Sequence, residues 1–383
     1  MNAGSDSNGT PWLSILVPVY NVAEWIGACV ETIVSQDLAG VEVLLLDDGS
    51  TDASRTICEQ LCAAHPGHLR LLAHAANRGL SAARNTLLEA ARGEYFWFVD
   101  GDDEMHQGAI ARLHGIVTMH APDVVMCDYS KQGRQVASFH GPHRVLCRDR
   151  DALLRGLFTS RRMHVWTKVT RRRLWDGGQR FPEAGCFEDI ATMPWLFLRA
   201  RSHYYIAEPW ISYRVREGSI THFATRKRGH FDVARNDDLA HALVGFADDA
   251  RTALPDLSAA TIESISQFCA KEFTKIGWRL VKHRLLRDDW KKISALMSRY
   301  CFLTESASPL PFRQVAATRL RKGQLVEFLR LQMFRFIGRH RKLAHGVPDA
   351  RPRGSAAQAR HARQRWHAGD PASAHAPRRV INQ

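Results

Sequence analysis

Apolar positions in the first hundred residues gather into four short runs, and the stretches between them are mixed. LSILVPV (13–19), VEVLLLDD (41–48), HLRLLAH (68–74) and EYFWFVDGDD (94–103) read as strands, the second and fourth ending in acids. Unbroken apolar character over a few residues marks a strand covered on both faces. Between these runs, Ile26, Val30 and Ile33 recur at helical spacing after Asn21, a residue able to cap a helix. Thr51–Ala64 and Ser81–Ala91 also read as helices. Strand–helix alternation of this kind predicts an α/β fold, a mostly parallel sheet flanked by helices. Such sheets bind ligands beyond the carboxyl ends of their strands.

Farther on, Asp123–Tyr129 reads as a strand, 131–150 shows no clear pattern, and 151–158 and 189–200 read as helices. Residues 204–206 and 210–213 suggest two short strands. The pattern is helical from Phe231 to Tyr300, and 319–343 reads as one basic helix rich in Leu and Phe. After Pro348 the chain is rich in Ala, Arg, His and Pro and poor in aliphatics, a composition expected to be disordered. The expected division is a disordered 1–11, an α/β domain over 12–225 with halves 12–130 and 131–225, a helical region 226–347 and a basic tail 348–383.

Charge sharpens this picture. The chain of 383 residues carries a formal net charge of +14. Residues 313–383 hold 16 of the 53 Lys and Arg but only 3 of the 39 Asp and Glu, so the body is close to neutral. A basic tail implies an anionic partner such as a membrane surface, nucleic acid or an acidic polymer. The eight cysteines form no CxxC pair, which points to a reducing compartment. MNAGSDSNGTPW lacks a basic-then-apolar leader, and no stretch approaches the roughly 20 apolar residues of a spanning helix. The expected location is cytoplasmic, with any membrane contact peripheral, on the inner face.

The chemistry gathers at strand ends. Asp100, Asp102 and Asp103 follow the fourth strand, and three crowded carboxylates are tolerable where a divalent cation sits. Mn²⁺ or Mg²⁺ there could neutralise a departing diphosphate. A solvated acidic turn is the plainer alternative. Asp47 and Asp48 follow the second strand, where Asp48 could accept hydrogen bonds from a base or ribose, and Gly49 permits a tight turn. No GxGxxG follows the first strand, which argues against a dinucleotide-dependent oxidoreductase.

SILVPVYN (14–21), DDGSTD (47–52), NRGLSAARN (77–85), FVDGDD (98–103) and FEDI (187–190) occur in one order and spacing. Together they resemble glycosyltransferase family two, inverting enzymes of GT-A-type, Rossmann-like fold. The stretch Trp166–His222 is similar to the branch that builds bacterial capsule, exopolysaccharide and lipopolysaccharide. The resemblance implies that 12–130 is the nucleotide-sugar half and 131–225 the acceptor half. It implies Pro18 and Tyr20 at the nucleobase, Asp48 contacting the base, Gly79 shaping the loop, and Arg84 in the donor pocket. It further implies Asp100 near the ribose, Asp102 as metal ligand, Asp189 as catalytic base, and Arg216 and Ser219 closing over the diphosphate. His222 could be a further metal ligand or a surface histidine. Without the other motifs, FEDI would read as a helix start favoured by the helix dipole. The implied partners are a nucleotide-diphosphate sugar, UDP by preference, and a saccharide or lipid-linked acceptor. A non-catalytic nucleotide-sugar- or polysaccharide-binding protein with a membrane- or nucleic-acid-binding tail is the alternative.

In the basic helix 319–343, Leu325, Phe328, Leu329, Phe336 and Ile337 share a broad face, with Leu331 and Phe334 off it. That face could dock on an anionic inner leaflet or pack on the body. Trp366 apart, the tail shows no recognisable nucleic-acid-binding fold, so nucleic acid is not the expected partner.

Overall fold

The computed structural model describes residues 10–183, 185–215, 231–284 and 289–339. Its strands are β1 (Leu13–Val19), β2 (Val41–Asp47), β3 (Leu69–Ala73), β4 (Tyr95–Phe98), β5 (Glu104–Met105), β6 (Val124–Lys131), β7 (Arg134–Val136), β8 (Leu146–Cys147), β9 (Lys168–Arg171) and β10 (His203–Tyr213). They form one sheet in the order β3-β2-β1-β4-β9-β6-β10-β5, with β7 on β6 and β8 on β10. β3, β2, β1 and β4 run parallel, as do β6 and β10. β9 runs antiparallel between β4 and β6 and joins the two parallel groups.

Strand side chains alternate between two cores, as the period of two requires. Leu16, Leu44, Leu46, Phe96 and Phe98 face one core, and Ile15, Val17, Val43, Leu45 and Trp97 face the other. The first is covered by α3 (Leu80–Ala90), α5 (Arg150–Ser160) and α6 (Glu188–Arg199), the second by α1 (Ile26–Val34), α2 (Ser54–Ala64) and α4 (Ala109–His120). Both faces are therefore buried, which is why the strands read as unbroken apolar runs. The expected α/β class and the helical C-terminal region are both present.

That region comprises helices Val233–His241, Phe246–Ala253, Ala259–Arg284, Trp290–Ser306, Phe312–Arg321 and Leu325–Arg339. They extend the first core rather than build a separate one. Phe158 of α5 packs against Phe246 and Phe268 at ring distances of 5.3 and 5.4 Å.

Some local expectations change. Asn21 does not cap α1: it has φ +50°, and its Oδ1 accepts the Thr51 N–H at 2.8 Å. The two strands expected over 204–213 are one, β10, whose pairing with β6 shifts at Pro209 because proline has no N–H to donate. The helix expected over 319–343 is broken, with Gly323 at φ +70° between its two halves. In its second half Leu331, Phe334 and Ile337 are buried, while Leu325, Leu329 and Phe336 of the broad apolar face are exposed. Residues beyond Arg339 lie outside the described residues.

Candidate active site

The two acid clusters leave the sheet side by side, from β2 and β4, which flank β1. Asp48 is buried directly after β2, and its N–H bonds Val19 O at 2.8 Å. Its carboxylate accepts three bonds, from Gly79 N–H at 2.8 Å, Arg78 N–H at 2.9 Å and His74 Nδ1 at 2.6 Å. With the proton on Nδ1, His74 Nε2 accepts from the Thr86 hydroxyl at 2.9 Å. Asp48 thus moulds the 74–79 loop against α3. Gly49 makes the close approach possible. It has φ +68°, and a Cβ there would stand 2.6 Å from Ala76 C and Asn77 N. Pro18 lies in β1 opposite Leu46, and Tyr20 follows that strand with 43% exposure, open at the same edge.

The second cluster centres on Arg84 of α3, whose side chain is only 2% exposed. Its Nη1 donates to Glu188 Oε1 at 2.9 Å and Asp189 Oδ1 at 3.0 Å, and its Nη2 to Asp100 Oδ1 at 3.2 Å. The guanidinium lies over the rings of Phe98 and Phe181. Burial opposes its charge, yet Asp189, Asp100 and Glu188 outweigh that and push its pKa up. One arginine therefore gathers the acid after β4 and both acids in the first turn of α6. Asn85, the next residue, brackets Phe181 through both amide ends at 2.9 Å and fixes the segment leading to α6.

Asp100, Asp102 and Asp103 each offer a carboxylate oxygen within 4.8 Å of the others. Asp103 Oδ1 accepts Arg214 N–H at 2.9 Å, while Oδ2 is buried without a hydrogen-bond partner among the described residues. Burial and the neighbouring acids raise Asp103 to about 9. An oxygen-only donor set with an orphaned buried oxygen fits a hard divalent cation.

Asp189 is pushed up to about 7, chiefly by burial, with Arg84 opposing and Glu188 and Asp100 adding to the rise. That places a carboxylate near neutrality, the range useful to a general base. Lys168, at the start of β9, lies close to Asp189 in the electrostatics of the site. It is fully buried, and its Nζ donates to Arg162 O at 2.7 Å and to His164 O and Thr167 Oγ1 at 2.8 Å. Burial lowers its pKa to about 7, and Asp189 pulls the other way, so the two lie in one electrostatic neighbourhood.

The structure brings together Asp100, Asp102, Arg84 and Asp189, and places Pro18, Tyr20, Asp48 and Gly79 along the adjoining edge. Arg216, Ser219 and His222 lie outside the described residues. Sequence reading passed over His74 and Asn85. His74 had a signal, a lone polar residue closing an apolar strand. A separate cleft of about 380 Å³, lined by Arg150, Arg173, Arg199 and Arg201, sits at the far end of α6 from Asp189, away from the acids.

The sheet order, the strand-end acids and the flanking helices define a GT-A-type α/β fold. Its likeness among solved structures includes S. aureus TarS 1-349 in complex with UDP-GlcNAc, with TM-score 0.64 and 20% identity over 85% of this chain and 90% of that one. Residues 14–177, somewhat less than half of the chain, match glycosyl transferase family 2. Relatives include EpsJ of Bacillus subtilis (strain 168), named an uncharacterized glycosyltransferase, 36% identical over 43% of this chain and 49% of EpsJ. The glycosyltransferase GlyA of Streptococcus pneumoniae serotype 4 is 28% identical over 57% of this chain and 32% of GlyA. The chain thus spans about half the length of the first and a third of the second.

Proposed function

We propose that the protein is an inverting glycosyltransferase that moves a sugar from a nucleotide-diphosphate donor, a UDP-sugar, to a hydroxyl of a saccharide or lipid-linked acceptor in surface-polysaccharide synthesis. The observation that carries this reading is the Arg84 bridge, which sets Asp189 beside the acids after β4. Asp189 takes the proton of the acceptor hydroxyl as its oxygen bonds to the anomeric carbon, while the bond from that carbon to the diphosphate oxygen breaks. Attack opposite to departure inverts the anomeric centre, and one base suffices. Mn²⁺ or Mg²⁺, held by Asp102 with Asp100 and Asp103 beside it, would supply positive charge to the departing diphosphate.

Arg84 keeps Asp189 and Asp100 in register. Tyr20 and Pro18 would receive the nucleobase beside the loop that Asp48 and Gly79 shape. Arg216 and Ser219 would close over the diphosphate, with His222 as a further ligand. The glycosyltransferase names of EpsJ and GlyA support transfer, and the UDP-GlcNAc carried by TarS supports a UDP donor.

A panel of sugar nucleotides screened by thermal shift with Mn²⁺ tests the donor class. A UDP-sugar at a hundred times its dissociation constant should add roughly 2.7 kcal/mol of stability. Stabilisation by no sugar nucleotide would overturn the reading. Donor binding without transfer to any acceptor extract would favour a non-catalytic binder.

A further inference from the structure

Helix Leu325–Arg339 is apolar on two faces. The inner face, Leu331, Phe334 and Ile337, is buried against the body. At 100° per residue, Leu325, Val326, Leu329, Met333 and Phe336 fall within an arc of about 100° on the outer side. Their exposures are 53, 55, 54, 42 and 63%. Leu320, at the end of the preceding helix, is 51% exposed as well. A soluble helix normally keeps one apolar stripe and turns polar residues outward. Here the outward stripe is apolar, and exposed Arg330 and Arg339 lie on either side of it, with Arg321 and Lys322 just before it. No helix among the described residues is long and apolar enough to cross a membrane.

We propose that this outer face is a docking surface for an anionic lipid bilayer. The aliphatic side chains would enter the interface between headgroups and acyl chains, and the arginines would meet lipid phosphates. Charge selects this occupant. A second copy of the chain would set two basic rims against each other, whereas anionic headgroups neutralise them. Residues 340–383 carry 9 Lys and Arg against 2 Asp, so by composition they add positive charge rather than apolar cover. The proposal stands apart from the transfer chemistry and holds or fails without it.

The test is flotation of the full chain with vesicles. It should float with phosphatidylglycerol-containing vesicles, stay behind with phosphatidylcholine alone, and bind less as salt rises. Leu329→Glu with Met333→Glu should reduce binding at least tenfold without changing the melting temperature or donor binding, because both side chains are exposed. Arg330→Glu and Arg339→Glu should each weaken it about fivefold. Leu329→Trp should show a blue-shifted emission on the anionic vesicles. Failure to float on them, or equal flotation of the double glutamate variant, would overturn the proposal. So would light scattering that shows a dimer which the double variant turns into a monomer.

Discussion

Arg84 and Asp189 stand 105 residues apart in the chain and 3.0 Å apart in the fold, joined by a part-buried charge-assisted hydrogen bond. This contact holds side chains of α3 and α6 at one site, and in the proposed mechanism it would set the state of the base. Burial pushes Asp189 up to about 7, and Arg84 is the main influence holding it down. A base works only when ionised, and the ionised fraction grows as pH rises through the pKa. kcat/KM should therefore climb through about pH 7 and level off above it, which a pH–rate profile with a soluble acceptor reads directly.

Arg84→Met should move that limb. It removes the charge that lowers Asp189, so the rise should shift to higher pH. It also leaves the partly buried Asp100, Glu188 and Asp189 without their cation, at a cost of at most about 3 kcal/mol once solvent screening is allowed for. Denaturant melts give the second quantity and the pH profile the first. An unshifted limb would mean that Asp189 is not the titrating base.

Asp48→Ala strips the acceptor from Gly79 N–H, Arg78 N–H and His74. Each buried donor left unpaired costs about 1–3 kcal/mol, and the loop will recover part by relaxing. A net loss of about 2–4 kcal/mol is expected, together with weaker donor binding measured by calorimetry. Full stability with lost binding would instead assign Asp48 to the ligand alone.

Much of this arrangement was legible in the sequence, for reasons that differ by residue. The strands over 13–19, 41–48 and 94–103 were plain because burial on both faces leaves almost no polar position inside them, Ser14 and Glu42 being paired with each other at 2.6 Å. The acids at their ends stood out against those runs. β9 was invisible, since four residues that include Lys168 and Arg171 look like a surface turn, and only the fold shows Lys168 wrapped by backbone carbonyls. The convergence of Arg84 with Asp189 is a tertiary fact that no local spacing encodes, and family resemblance supplied the expectation. For helix 325–339, apolar residues occur at most angles around it, so periodicity alone could not choose between packing and an outward-facing apolar stripe.

Asp102→Ala should abolish stabilisation by Mn²⁺ in a thermal shift without donor, because it removes one of three oxygens grouped within 4.8 Å. Retained Mn²⁺ stabilisation would place the cation elsewhere. This readout does not depend on knowing the acceptor.

The most direct test of the account is Asp189→Asn, assayed for donor binding and for sugar transfer in parallel. The account predicts donor affinity close to that of the parent and transfer slower by about 10²–10⁴-fold, the usual share of a general base. Transfer at the parent rate would contradict it.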